Sequence, residues 1–159
     1  MVEKIGWVLL LSISPISELR GGIPVGILKY ELNPLLVFLI AVTANALIFF
    51  PVFFVLRLFY DRLLYRIPLF DKYLDGLRKR GKPKVDKYGF WGLALFVGVP
   101  LPLTGAYTGT ILAWLLGMDW RKAFGAVGLG VVLAGVVVFL ITLLVRWGML
   151  SIPWIFPGW

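Results

Sequence analysis

Two stretches of this chain, residues 32–56 and 123–145, contain no Asp, Glu, Lys or Arg. At 25 and 23 residues, each exceeds the roughly 20 that an α-helix needs to cross a bilayer. The rest of the composition agrees. Of 159 residues, 60% are apolar and only 15% charged, more apolar surface than a soluble domain of this size can bury. The chain therefore reads as an all-α, multi-pass integral membrane protein forming a single membrane domain.

Two further apolar runs are interrupted. Residues 88–118 carry no formal charge, but Val99-Pro100-Leu101-Pro102-Leu103-Thr104-Gly105 lies at their centre, where two prolines stop a continuous helix. The N-terminal run, 5–28, is divided by Glu18-Leu19-Arg20-Gly21-Gly22-Ile23-Pro24. Each arm holds about a dozen residues, roughly 18 Å of helix, or half a bilayer. Irregular backbone survives at membrane depth only against protein or a watery cavity. Both runs are expected to be re-entrant helical hairpins; the alternative is two kinked full spans in a four-helix protein.

Charge placement orients the chain. Segment 57–87 holds ten of the sixteen basic residues and four of the eight acids, hence six of the eight net positive charges. Short basic loops stay in the cytoplasm, so this loop is expected inside a cell membrane, against anionic lipids. Leu63, Leu64, Ile67, Phe70, Tyr73, Leu74 and Leu77 recur at three- and four-residue steps, the pattern of an interfacial amphipathic helix broken near Pro68. No base-reading pattern accompanies the charge, so nucleic acid is not an expected partner.

With the loop inside, the first hairpin enters from outside and the second from inside. The chain then reads as an inverted repeat of hairpin plus span, over 1–57 and 88–147. The basic segment 58–87 separates the halves, and 148–159 forms an interfacial tail. Leu19-Arg20-Gly21 overlays Leu103-Thr104-Gly105 at an offset of 84, and, shifted by one, Gly22-xxx-Gly26 overlays Gly105-xxx-Gly109. Broken helices in inverted repeats are how many secondary transporters build a midplane binding site.

Without Cys or His, thiol, zinc-thiolate and imidazole chemistry are absent. No metal, cofactor or enzymatic activity is expected. Glu18 and Arg20 are the only charges between Lys4 and Lys29, and ionisable groups at bilayer depth mark substrate or proton paths. Glu18 is the candidate proton-coupling residue. Arg20 suits a phosphate or carboxylate, and Gly21, Gly22, Thr104, Gly105, Tyr107 and Thr108 could add backbone and hydroxyl donors around the same anion. Close helix packing accounts for the small residues equally well. Asn45 and Thr43 are expected to bridge helices, and Gly125, Gly128, Gly130, Ala134 and Gly135 to form a packing seam.

The strings Ser14-Pro15-Ile16-Ser17-Glu18-Leu19-Arg20-Gly21-Gly22-Ile23-Pro24 and Gly98-Val99-Pro100-Leu101-Pro102-Leu103-Thr104-Gly105-Ala106-Tyr107-Thr108-Gly109 resemble the prokaryotic small multi-drug export family over nearly the whole chain. More remotely, the layout resembles the DedA superfamily of lipid transporters. That likeness implies proton coupling at Glu18 and transport of a polyprenyl phosphate or phospholipid. DedA proteins carry arginines in the second hairpin motif; this chain has none between Lys87 and Arg121, leaving Arg20 as the cation. Two functions follow: a proton-coupled transporter or flippase for an amphiphile with an anionic head, or a small exporter of hydrophobic cations. A non-catalytic assembly factor is the third possibility. Two spans scarcely enclose a pathway, so a homodimer is expected.

Overall fold

The computed structural model describes residues 1–59, 89–101 and 104–151, and every regular element among them is helical. In chain order these are α1 (Val2–Ile13), α2 (Glu18–Pro24) running directly into a π-turn (Val25–Lys29), α3 (Pro34–Leu47), α4 (Phe49–Phe59), α5 (Gly89–Gly98), α6 (Ala106–Leu115) and α7 (Trp120–Ser151). Most of the expected amphipathic segment and interfacial tail lies outside the described residues.

Two helices are long and apolar enough to cross a membrane, Pro34–Leu58 and Trp120–Gly148. Local chemistry fixes their starts. The Asn33 side chain accepts the Leu35 and Leu36 amides at 3.0 and 3.2 Å, and Pro34 occupies the first turn, where its missing N–H costs nothing. Asp119 does the same for α7, accepting the Arg121 amide at 3.0 Å. The first span is interrupted at Ile48. Pro51 has no N–H for the Leu47 carbonyl one turn back, and the helix adjusts there.

The spans run antiparallel. Phe38 meets Phe139 at 5.2 Å between ring centroids, while Phe50 meets Phe124 at 4.8 Å and Phe54 packs on Trp120. Leu35, Leu39, Leu47, Leu140, Ile141 and Leu144 remain exposed on their outer faces. Surfaces this apolar belong in hydrocarbon rather than water.

The short helices form two side-by-side pairs against the spans. Gly22 lies on Val8 and Ser12 of α1, and Gly26 on Val8 and on Val37 of α3. The Lys4 ammonium donates to the Tyr30 carbonyl at 3.4 Å, so the open ends of the first pair lie together, with Glu3, Lys4, Lys29 and Glu31 exposed there. Its opposite end carries Ile16, 95% exposed. In the second pair Gly109 of α6 packs on Val97 of α5.

One expectation is corrected. The first break is not at Glu18–Pro24, which is helical, but at Ser14–Ser17, upstream. Ser14 is extended (φ −68°, ψ 133°), as a residue before proline prefers, and Pro15 ends α1. Gly21 and Gly22 are helical and Pro24 lies inside α2. The widened π-turn that follows it takes up the irregularity proline introduces. The second break falls where expected, between Gly98 and Ala106.

The small residues of α7 divide into used and unused positions. A methyl group added at Gly130 would stand 2.6 Å from Val97 Cβ and 2.7 Å from the Ala94 carbonyl oxygen, whereas one at Gly128 meets nothing within 4 Å. Gly130→Ala should therefore destabilise the protein by about 1–3 kcal/mol through overpacking. Gly128→Ala should be neutral, or stabilising by up to about 1 kcal/mol through helix propensity. Thermal unfolding in lipid nanodiscs measures both; equal effects would mean that the α5–α7 contact is not close-packed.

Candidate functional site

The two helix breaks meet. Ser17 and Glu18 close the first: the Ser17 hydroxyl donates to the Leu11 carbonyl at 2.7 Å, and the Glu18 amide to the Ser14 carbonyl at 3.0 Å. This turn holds Glu18 at φ +50°, left-handed backbone that costs a non-glycine residue about 1 kcal/mol. The strained residue is also an acid that is only 6% exposed.

Its carboxyl leaves its own hairpin and lies against Gly105, the N-cap of α6. The Tyr107 amide points at Glu18 Oε1 from 3.5 Å, and the Ala106 amide faces the same group. These are otherwise unpaired donors at the positive end of a helix, where a carboxylate is stabilised. A methyl group at Gly105 would overlap the carboxyl. Glycine is required here for space, since its backbone is extended (φ −114°, ψ −163°).

Arg20 points elsewhere. Its guanidinium donates to the Leu101 carbonyl, to the Thr104 carbonyl at 3.0 Å and to Thr104 Oγ1 at 3.3 Å. These carbonyls belong to the break after α5, where the chain has few amides to spare. The acid of the first hairpin thus answers the N–H end of α6, and the base answers the carbonyls leading up to it. Two opposite charges close together in sequence become two separate hooks on the second hairpin.

Of the residues expected to hold an anion, Arg20, Thr104, Gly105 and Tyr107 come together. Thr108 adjoins them but caps its own helix: its hydroxyl accepts the Gly105 amide at 2.9 Å. Gly21 packs on Ser17 and Gly22 on α1, so both serve close approach of the chain. Thr43 is exposed, whereas Asn45 is buried and bridges α3 to α1, donating from Nδ2 to the Ser12 carbonyl at 2.9 Å. Asn45 borders the same narrow void as Glu18, Gly105 and Ala106. Sequence reasoning placed Asn45 only as a bridge; nothing in the chain order brings it beside Glu18.

On the other side of Tyr107 lies an open apolar groove of about 690 Å³, walled by Ile13, Ala44, Leu47, Val52, Leu56 and Ile111 among others. The Tyr107 hydroxyl donates to the Ile13 carbonyl at 2.5 Å. The residue therefore forms the partition: its ring lines the groove while its amide faces Glu18. Among the described residues, no group of acidic side chains could hold a metal ion.

The model of the family described as "small multi-drug export protein" matches residues 18–137, opening on Glu18 just past the first break and running through the second. No curated protein and no solved structure matches the chain.

Proposed function

This chain belongs to the small multi-drug export family, and from that membership and the seating of Glu18 on α6 we propose that it is a proton-coupled exporter of hydrophobic cations. The single observation that carries the reading is a buried carboxyl held at the junction of two broken helices, one residue's thickness from an apolar groove. The groove takes the apolar body of the substrate, with the Tyr107 ring as one wall. Ionised Glu18 attracts the cation, and protonation releases it. No bond of the substrate is made or broken, and the protein acts as a carrier rather than an enzyme.

The membrane arrangement is part of the proposal. Both hairpins are re-entrant: the arms are half a bilayer long, the open ends of the first lie together, and its tip exposes an isoleucine. An inverted repeat is supported by one hydrogen-bonded pair. Arg20 and Thr104 stand 84 residues apart, the offset that overlays the two motifs, and equivalent residues meet where two-fold-related repeats touch. The basic segment 57–87 faces the cytoplasm and its anionic lipids, and two copies together enclose the pathway.

An anionic head, the substrate class suggested by Arg20 in the sequence and by the DedA likeness, would need a free guanidinium. Here both of its Nη groups already donate to Leu101 and Thr104. Arg20→Ala should therefore loosen the junction, destabilising the protein by about 1.5–3 kcal/mol, the worth of hydrogen bonds to a charged group. It should still leave cation export measurable. Proteoliposomes with an acidic lumen test this with ethidium as the cation and a labelled polyprenyl phosphate as the anion. Uptake of ethidium that survives Arg20→Ala supports the reading. Transport of the polyprenyl phosphate alone, lost in Arg20→Ala, would replace it with a lipid transporter.

A further inference from the structure

Asn45 presents a buried acceptor that nothing among the described residues satisfies. Its Nδ2 is held by the Ser12 carbonyl, which fixes the amide and leaves Oδ1 as the free end. That oxygen and Ser12 Oγ are the buried side-chain atoms without a partner among the described residues. A buried carbonyl left unpaired costs about 1–3 kcal/mol, and only a donor can relieve it. The void it borders with Glu18 is narrower than a water molecule, so solvent does not supply one. Nor does Arg20, which also borders the void but makes its bonds to Leu101 and Thr104. The Ser12 hydroxyl stands against Gly22. A donor this void gains on protonation is the one that Glu18 would itself carry.

We propose that Asn45 Oδ1 is the receiving partner of the Glu18 proton, so that the carboxyl has two seats. Ionised, it accepts the Ala106 and Tyr107 amides and ties the first hairpin to α6. Once a proton from the aqueous phase forms an O–H on one carboxyl oxygen, that hydroxyl donates to Asn45 Oδ1 and the hold on α6 weakens. The inference rests on Glu18 being the proton carrier, and it adds what holds the protonated form. Arg20 from its own helix and Tyr107 from α6 are the other ionisable groups at Glu18. The facing parts of α1 (5–13), α3 and α7 (123–145) bring none. Asn45 is thus a positioning residue on the first span, linking protonation to the contact between the two halves.

The chain contains two asparagines, Asn33 and Asn45, so protein labelled with 13Cγ-asparagine gives two assignable side-chain signals without any substitution at position 45. In lipid nanodiscs, the Asn45 signal should shift with pH in step with an infrared carboxylic C=O band that Glu18→Gln removes. In Glu18→Gln the Asn45 signal should stay fixed across the same range. Asn45→Leu should move the carboxylic band to the higher frequency of an acid without a hydrogen-bond acceptor. A Glu18 band that titrates while the Asn45 signal does not move would overturn the role of Asn45 and leave proton carriage standing. Absence of any titrating band assignable to Glu18 would overturn both.

Discussion

Gly105→Ala should abolish the proposed proton-driven uptake of ethidium while the protein still folds. The new methyl group occupies the place of the Glu18 carboxyl, and the end of a flexible side chain yields before backbone does. The carboxyl then loses the Ala106 and Tyr107 amides and is held off its seat on α6, pressed into a void too narrow for water. Overpacking of this kind costs about 1–3 kcal/mol. The diagnostic is a double-mutant cycle. In a Glu18→Ala background the methyl at 105 fills vacated volume, so the same substitution should be tolerated, giving a coupling of about 1–3 kcal/mol in thermal unfolding. Additive effects would show that Glu18 and Gly105 do not share the junction.

Glu18→Gln is the second large effect. Glutamine has nearly the same shape and can still accept the α6 amides, so the fold should persist. Stability should be equal to or above that of the parent, since no charge need be kept out of water. What it lacks is an exchangeable proton. Uptake of ethidium driven by an acidic lumen should fall to the level of protein-free liposomes, while binding of the cation weakens with loss of the negative charge. Undiminished uptake in this variant would remove Glu18 from the transport cycle.

The spans were legible because a run of 23 or 25 uncharged residues admits few other interpretations in a chain this apolar; their starts moved to the nearest caps, Asn33 and Asp119, and their ends by two or three residues. The second break was legible because Pro100 and Pro102 leave no helix to argue for. The first was misplaced because glycine and proline were weighed by type rather than by position. Pro15 ends a helix whose next turn has no competing use. Pro24 instead sits where a widened turn accommodates it, and Gly21 and Gly22 let α2 approach Ser17 and α1. Glu18 stood out as an acid in an apolar run, yet its seat on α6 is a contact across 89 residues. The acceptors of Arg20 are backbone carbonyls, which have no signature in sequence. Asn45 was visible as a polar residue in a span, but its nearness to Glu18 depends on how α2 and α3 pack.

The proposed transport cycle needs the two helix breaks to meet halfway through the bilayer. With no cysteine in the chain, single substitutions Ile16→Cys and Leu101→Cys place a spin label at either tip, both exposed positions. Power-saturation EPR in bilayers, comparing oxygen with a water-soluble nickel chelate, reads the depth of each label directly. The re-entrant arrangement requires both labels to lie near the bilayer centre at similar depth. A label at Ile16 or Leu101 found at the headgroups or in bulk water would contradict it.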